Sequence, residues 1–279
     1  MRAAGTSRGV NRLWTFFPAA LCLLFVAASH ASAGASGSIG LRLLDAPISD
    51  DPRARLYITD HLAPGTVIHR RIEVSNTSES TAEVALYPAA ASIEGGSFVG
   101  AEGHTANELS TWTTVDPQEE SVAAGERVTA MVTIAVPANA APGERYAAIW
   151  AEARSDPDKG GRIVQVNRVG TRIYLSVGPG GSPAPDFTID SLTAGRSAEG
   201  EPTILASVHN TGGRALDMHG SLTLKDGPGG LNAGPFPAEL GTILAVGESE
   251  SVTILLEAGA GWSVGRPHQV EERTSGAQC

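Results

Sequence analysis

From Ile39 onward the chain alternates apolar and polar side chains with a period of two. Within Val128–Val136, Val128, Ala130, Val132, Ile134 and Val136 share one face, and Thr129, Met131, Thr133 and Ala135 take the other. Arg70–Val74, Glu83–Tyr87, Tyr146–Arg154 and Ile163–Val177 also alternate or run rich in β-formers. Pro-Gly, Asn-Thr-Ser, Gly-Gly and Ala-Gly-Glu clusters separate them. No segment carries a 3.6-residue apolar stripe with caps. Short strands at this spacing predict an all-β chain built of immunoglobulin-like antiparallel β-sandwiches.

The pattern occurs twice. Val74-Ser-Asn76-Thr77-Ser78 sits between two alternating runs, and Val208-His-Asn210-Thr211-Gly212 does the same 134 residues later (208 − 74). A Gly-Glu pair follows each, Gly125-Glu126 and Gly247-Glu248, and opens another run. Strand, Asn-centred turn, strand in fixed order predicts two tandem sandwiches, at 39–178 and 186–264. Gly178-Pro-Gly-Gly-Ser-Pro-Ala-Pro185 between them reads as a linker, 179–185, because proline donates no ladder hydrogen bond and glycine resists ordering. The copies differ at their ends. After Gly143 the first supplies two further strand-like runs, whereas after Gly261-Trp262 the second passes into residues 265–279, which mix Gly, Pro and charge without alternation. The second sandwich is therefore expected to be incomplete at its C-terminus, with 265–279 a disordered or truncated tail and open edges left behind.

The first 33 residues predict export. Arg2, Arg8 and Arg12 form a basic start, Leu13–Ala28 is apolar apart from Thr15 and Pro18, and Ala31-Ser32-Ala33 is a small-x-small cleavage site. Cleavage leaves 246 residues (279 − 33) and moves the formal charge from −10 to −13, because three arginines and no acids leave. An acidic chain is a poor ligand for nucleic acid or anionic lipid. Later apolar runs such as Val252–Leu256 are strand-sized, so no membrane helix is expected. The mature part keeps one cysteine, Cys279, which excludes an intramolecular disulfide and a thiolate metal site.

Catalytic constellations are missing from the sequence. Gly95-Gly-Ser97 has its next glycine one place too late for a nucleophile elbow, and no His-Glu-x-x-His or phosphate-binding glycine loop occurs. His61 and His69 flank the Pro64-Gly65 turn, either meeting across a hairpin or standing as exposed strand ends. Asp156-Pro-Asp158-Lys-Gly160 begins like a calcium loop but lacks the later carboxylates, and reads as a hairpin tip. Asp50-Asp51-Pro52 reads as a solvated turn. Asn76 and Asn210 are expected to reverse the chain rather than bind a ligand. No cofactor, metal or enzymatic activity is expected. Trp112, in Asn107-Glu-Leu-Ser-Thr-Trp112-Thr-Thr, is the candidate ligand-binding residue, because an indole rimmed by hydroxyls can stack on sugar rings; inter-sheet packing is its competing role.

These motifs together carry a resemblance. Pro64-Gly65-Thr66, Val74-Ser-Asn76-Thr77, Leu109-Ser-Thr-Trp112, Gly125-Glu126, Ile134-Ala-Val136-Pro137 and Ala141-Pro-Gly143-Glu-Arg-Tyr146-Ala-Ala-Ile149-Trp150 resemble the first domain of the WxL-interacting protein family of Gram-positive cell surfaces. Asn210-Thr-Gly-Gly213 and Asp226-Gly-Pro-Gly-Gly230 resemble its partner domain. The resemblance implies a non-enzymatic envelope scaffold that binds peptidoglycan or another cell-wall glycan through the first domain and WxL-type surface proteins through the second. It also implies a C-terminal membrane helix that this sequence does not show. The alternative is a two-domain immunoglobulin-like assembly chaperone for secreted surface subunits, which needs an exposed edge strand and a buried basic anchor. Arg70-Arg71, beside a strand, is the sequence's only hint of that anchor.

Overall fold

Alternation becomes strand throughout the computed structural model, which describes residues 39–46, 51–154, 164–227 and 230–256, with the backbone alone at 239–240 and 263–264. The predicted leader, the Asp156–Gly160 turn and the tail 265–279 lie outside the described residues. One sheet runs β1 (Ile39–Leu43), β3 (Val67–Asn76), β8 (Arg127–Ala135), β6 (Thr113–Asp116). A second runs β2 (Ile58–Leu62), β10 (Val166–Val177), β9 (Gly143–Arg154), β4 (Ala82–Glu94), β5 (Ser97–Gly100), with β7 (Glu119–Val122) also on β4. Between these sheets Ile72, Val74, Val132 and Ile134 meet Val84, Leu86, Ile149, Ile173 and Leu175, all fully buried. As the alternation requires, Met131 and Thr129 face outward while Ala130 and Val132 face in.

One ladder departs from the antiparallel expectation. Between β1 and β2 the chain changes sheets, passing through a single-turn 3-10 helix, Pro52–Arg55, so β2 lies parallel to β10 at Ile58–Leu62 against Ile173–Val177. The other helical element, α1 (Glu108–Trp112), is five residues long, too short to show a stripe in sequence. Its capping box is complete: Asn107 Oδ1 accepts from Ser110 N at 2.9 Å, and Ser110 Oγ accepts from Asn107 N at 2.8 Å.

The second pair of sheets comprises β11 (Phe187–Arg196), β12 (Pro202–Asn210), β15 (Ser249–Leu255), and β13 (Leu216–Gly227), β14 (Leu231–Leu244), β16 (Ser263–Val264). Its core centres on Phe236, Leu216, Leu244, Val208 and Val252.

The sequence repeat is a repeat of bonding. Asn76 Nδ2 donates to Ser80 O (2.7 Å) and Val122 O (2.9 Å), while its Oδ1 accepts from Ser78 N. Asn210 Nδ2 donates to Arg214 O (2.9 Å) and Leu244 O (3.0 Å), while its Oδ1 accepts from Gly212 N. The backbone of each asparagine brackets its Gly-Glu turn: Asn76 N donates to Glu126 O and Gly125 N to Asn76 O, and Asn210 N donates to Glu248 O and Gly247 N to Asn210 O. Gly125 and Gly247 take φ of 75° and 76°, the left-handed region where a side chain is strained. Both asparagines are 1% exposed, so the expected structural role holds.

The segment joining β10 to β11 is held rather than free. Gly212 N donates to Asp186 O and Gly213 N to Ala184 O, which seats the Pro-rich stretch on the Asn210 turn. The described residues belong to one compact unit. Tyr174, Ala215 and Ile243 form a shared apolar cluster with Tyr57, Ile93, Phe98 and Tyr146, and Ile243 N donates to Gly96 O at 2.7 Å. A seam thus packs the outer face of the β2–β10–β9 sheet against the start of β13 and the end of β14.

Candidate functional site

At the seam, β2, β10, the 3-10 helix and the start of β13 enclose a pocket of about 160 Å³, lined by Asp51, Arg53, Thr59, His61, Glu144, Ser176 and Arg214 among others. That room suits a carboxylate rather than a drug-sized ligand. Asp51 caps the 3-10 helix, accepting from Arg53 N at 2.9 Å, and turns the Arg53 side chain back onto itself: Nη2 reaches Asp51 Oδ2 at 2.6 Å and Nε reaches Oδ1 at 3.0 Å. Arg214 Nη1 lies 3.7 Å from the same carboxylate, and the Arg53 guanidinium covers the Tyr174 ring at 4.6 Å. Burial pushes the Asp51 carboxyl up, but the hydrogen bonds and charge of Arg53 outweigh it and hold it below its ordinary value. Burial raises the Tyr174 phenol to about 12.

Asp51 is 4% exposed, so the expectation of a solvated Asp50-Asp51-Pro52 turn is corrected. The signal was present: Asp followed by Pro opens a helix with a capped N-terminus, and an arginine two residues on can fold back on the cap. Arg70 and Arg71 are also reassigned. Arg71 is exposed in a paired contact with Asp45 at 2.7 Å, while Arg70 points between the sheets to Asp60 at 2.5 Å. The most buried basic groups at the seam are instead Arg53 and Arg214. Among the described residues, Arg53 Nη1 and Arg214 Nε have no hydrogen-bond partner within the protein, nor do Thr59 Oγ1 and His61 Nε2 on the same wall.

Glu144 ties the seam. Its Oε2 accepts from Tyr146 O–H at 2.7 Å and, across the seam, from Ala215 N at 2.6 Å. Burial raises the Glu144 carboxyl above its ordinary 4.5, against the pull of those two bonds and of Arg53. A raised folded value means its contribution to stability is complete in acid and is lost as pH rises through that value. Glu144→Gln should therefore be at least as stable as the wild type at pH 8 and lose that advantage by pH 4. Glu144→Ala, which strips both donors of their acceptor, should be less stable by about 1–3 kcal/mol. Urea midpoints of the three proteins across that pH range check this; a Glu144→Gln protein much weaker than wild type at pH 8 would show the carboxylate charged and well paired.

The pocket continues an open strand edge. β2 covers one side of β10 only at Ile173–Val177, so among the described residues Val166–Arg172 has a ladder on its β9 side alone. Val164 and Val166 are each 48% exposed beside that edge, and Leu56, where the 3-10 helix ends, is 66% exposed. The edge thus offers unpaired backbone groups and apolar side chains, and leads to the helix that carries Arg53.

The remaining sequence candidates separate. Trp112, at the C-terminal end of α1, is half-buried against the first core with the Arg145 guanidinium 5.0 Å from its ring centre. Trp150 lies against Gly170 and Gly100, where an added Cβ would come within 2.6 and 2.5 Å of its ring, so those positions admit only glycine while the indole stays. His61 and His69 do not meet: one bonds Ser176 Oγ in one sheet and the other Thr133 Oγ1 in the other. His209 bonds Ser249 Oγ on the surface. Among the described residues no three His, Cys, Asp or Glu side chains converge as metal ligands, and no helix is long and apolar enough to cross a membrane.

The chain matches no family model, and no curated protein matches it significantly in sequence. Solved structures do resemble it. The class 5 fimbriae chaperone CfaA is 13% identical, with a TM-score of 0.41 over 84% of this chain and 95% of that one. The CsuC–CsuE chaperone–tip adhesion subunit pre-assembly complex of Acinetobacter baumannii gives 12% identity and 0.41, over 82% and 91%. The CupB2 chaperone of Pseudomonas aeruginosa gives 12% and 0.38, over 74% and 94%.

Proposed function

We propose that this chain is a non-enzymatic, exported envelope protein that holds an extended segment of another polypeptide, the role of an assembly chaperone for secreted surface subunits. The observation that carries the reading is the open run of β10 leading to two incompletely bonded guanidinium groups, buried Arg53 and part-buried Arg214. A segment laid on Val166–Arg172 gains main-chain hydrogen bonds from the edge and side-chain contact from Val164, Val166 and Leu56. Running parallel to β10, in line with β2, it brings its C-terminal carboxylate to the 3-10 helix, where Arg53 Nη1 and Arg214 Nε offer charge-assisted bonds. The same anchor gives selectivity for a chain end over a chain interior.

The direct test uses fluorescence anisotropy with a labelled nonapeptide of alternating valine and threonine, ending in either a free carboxylate or an amide. The acid form is expected to bind, and the amide form to bind more weakly by about tenfold or more. Val166→Lys should weaken both forms. Equal binding of acid and amide, or no binding of either, overturns the proposal. The wall-glycan role implied by the resemblance is read in parallel: co-sedimentation with protease-treated cell walls, lost in Trp112→Ala and unaffected by Val166→Lys, would favour the scaffold instead.

A further inference from the structure

The second sandwich has a place for a strand that the described chain does not fill. In the first sandwich the strand that follows the Asn turn, β4, pairs along Val84–Ala90 with β9, whose Ala147, Ile149 and Ala151 face the core. Its counterpart after the Asn210 turn is β13. Among the described residues β13 pairs with β14 on one edge and with nothing on the other. The exposure on either side of that edge follows suit. On β13, Leu222 and Leu224 are only partly buried, although their ladder partners on β14, Phe236 and Ala233, are fully buried. On the opposing sheet, Ile189 and Leu192 of β11 are 41% and 49% exposed, although their partners Val208 and Ala206 are 4% exposed and directly paired residues share a face. Two apolar surfaces thus turn inward onto an edge of unpaired backbone.

We infer that this slot accepts one extended strand of a partner polypeptide, antiparallel to β13, with apolar residues at every second position. The position of β9 beside β4 sets the direction, and Leu222, Leu224, Ile189 and Leu192 set the alternation. Residues 265–279 are a poor occupant on two grounds. β16 pairs with β14 on the sheet's opposite edge, and residues 265–279 contain only Val270 and Ala277 as apolar side chains before Cys279. The outward face of β13 adds a preference: His219, Thr223 and Lys225 make it neutral to basic, which suits a strand whose outward residues are polar or acidic.

Hydrogen exchange on the purified full chain tests this, with a nonapeptide alternating valine with threonine and glutamate as the probe. Within Gly220–Lys225, the amides that point away from β14 should exchange fast alone and slow by about tenfold or more when the peptide is added. Leu192→Asp, a change at an exposed position, should abolish that protection. Val166→Lys should leave it intact, which separates this slot from the β10 edge. Three results overturn the inference: no protection at millimolar peptide, the same amides already protected in the peptide-free monomer (the chain's own tail fills the slot), or protection that tracks a concentration-dependent dimer (a second copy fills it).

Discussion

Replacing Asn210 with alanine is expected to destabilise the second sandwich by about 3 kcal/mol. The side chain is buried and bridges three parts of the fold: its own turn through Gly212 N, the start of β13 through Arg214 O, and the end of β14 through Leu244 O. Alanine takes a donor from two carbonyls, that of Leu244 in a fully buried bond, and one of two acceptors from Gly212 N, which keeps Asp186 O; the cost of the desolvated carbonyls outweighs the mean worth of the bonds. Asn210→Asp keeps the acceptor for Gly212 N but removes both donors and adds a charge, so it should be at least as damaging. Asn76→Ala should do the same to the first sandwich through Ser80, Val122 and Ser78. Urea unfolding read by hydrogen exchange in Pro202–Asn210 and in Arg127–Ala135 assigns each loss to its sandwich. A loss under about 1 kcal/mol in both variants would mean the turns hold their shape without the amides.

Arg53→Met should cost about 3–5 kcal/mol at pH 7, because it strips the buried Asp51 carboxylate of its two-pronged guanidinium partner, while the backbone N–H of residue 53 and the longer contact to Arg214 stay. The pH response separates this from simple loss of packing. In the wild type Asp51 titrates below its ordinary value, so its contribution is complete above the carboxylate range and is lost as pH falls through it. Without Arg53 the burial that raises Asp51 is no longer outweighed, the sign reverses, and acidification should narrow the gap between variant and wild type. Pairing the change with Asp51→Asn should recover much of the loss. Urea midpoints at pH 7 and pH 4.5 supply the comparison. A gap that stays constant with pH would show that Arg53 acts by filling space over Tyr174.

Strands and the duplication were legible because their causes are local. Alternation marks the buried face wherever one side of a sheet meets a core, and the Asn and Gly-Glu turns need particular residues at particular backbone angles. What stayed hidden depends on distant partners. Nothing near Arg53 in sequence announces that it shares the Asp51 carboxylate with Arg214 and covers the Tyr174 ring. The passage of the chain from one sheet to the other between β1 and β2, which makes β2 parallel to β10, likewise follows from where both sheets already stand. Arg70 and Arg71 show the limit well: adjacent and alike in sequence, they fall on opposite faces of β3 and pair with different acids. Trp112 drew attention through its hydroxyl neighbours, yet those hydroxyls are committed locally, Ser110 to the cap of α1 and Thr111 and Thr113 to carbonyls of the same turn.

The first Asn turn carries one more consequence. Asn76-Thr77-Ser78 spells the tripeptide to which oligosaccharyltransferases attach N-linked sugars. In the folded chain its amide nitrogen is spent on two carbonyls and its oxygen on Ser78, and no part of the group reaches solvent to any useful extent. An enzyme seeking that acceptor would have to find the polypeptide before the sheet closes, and a glycan placed there would keep it from closing.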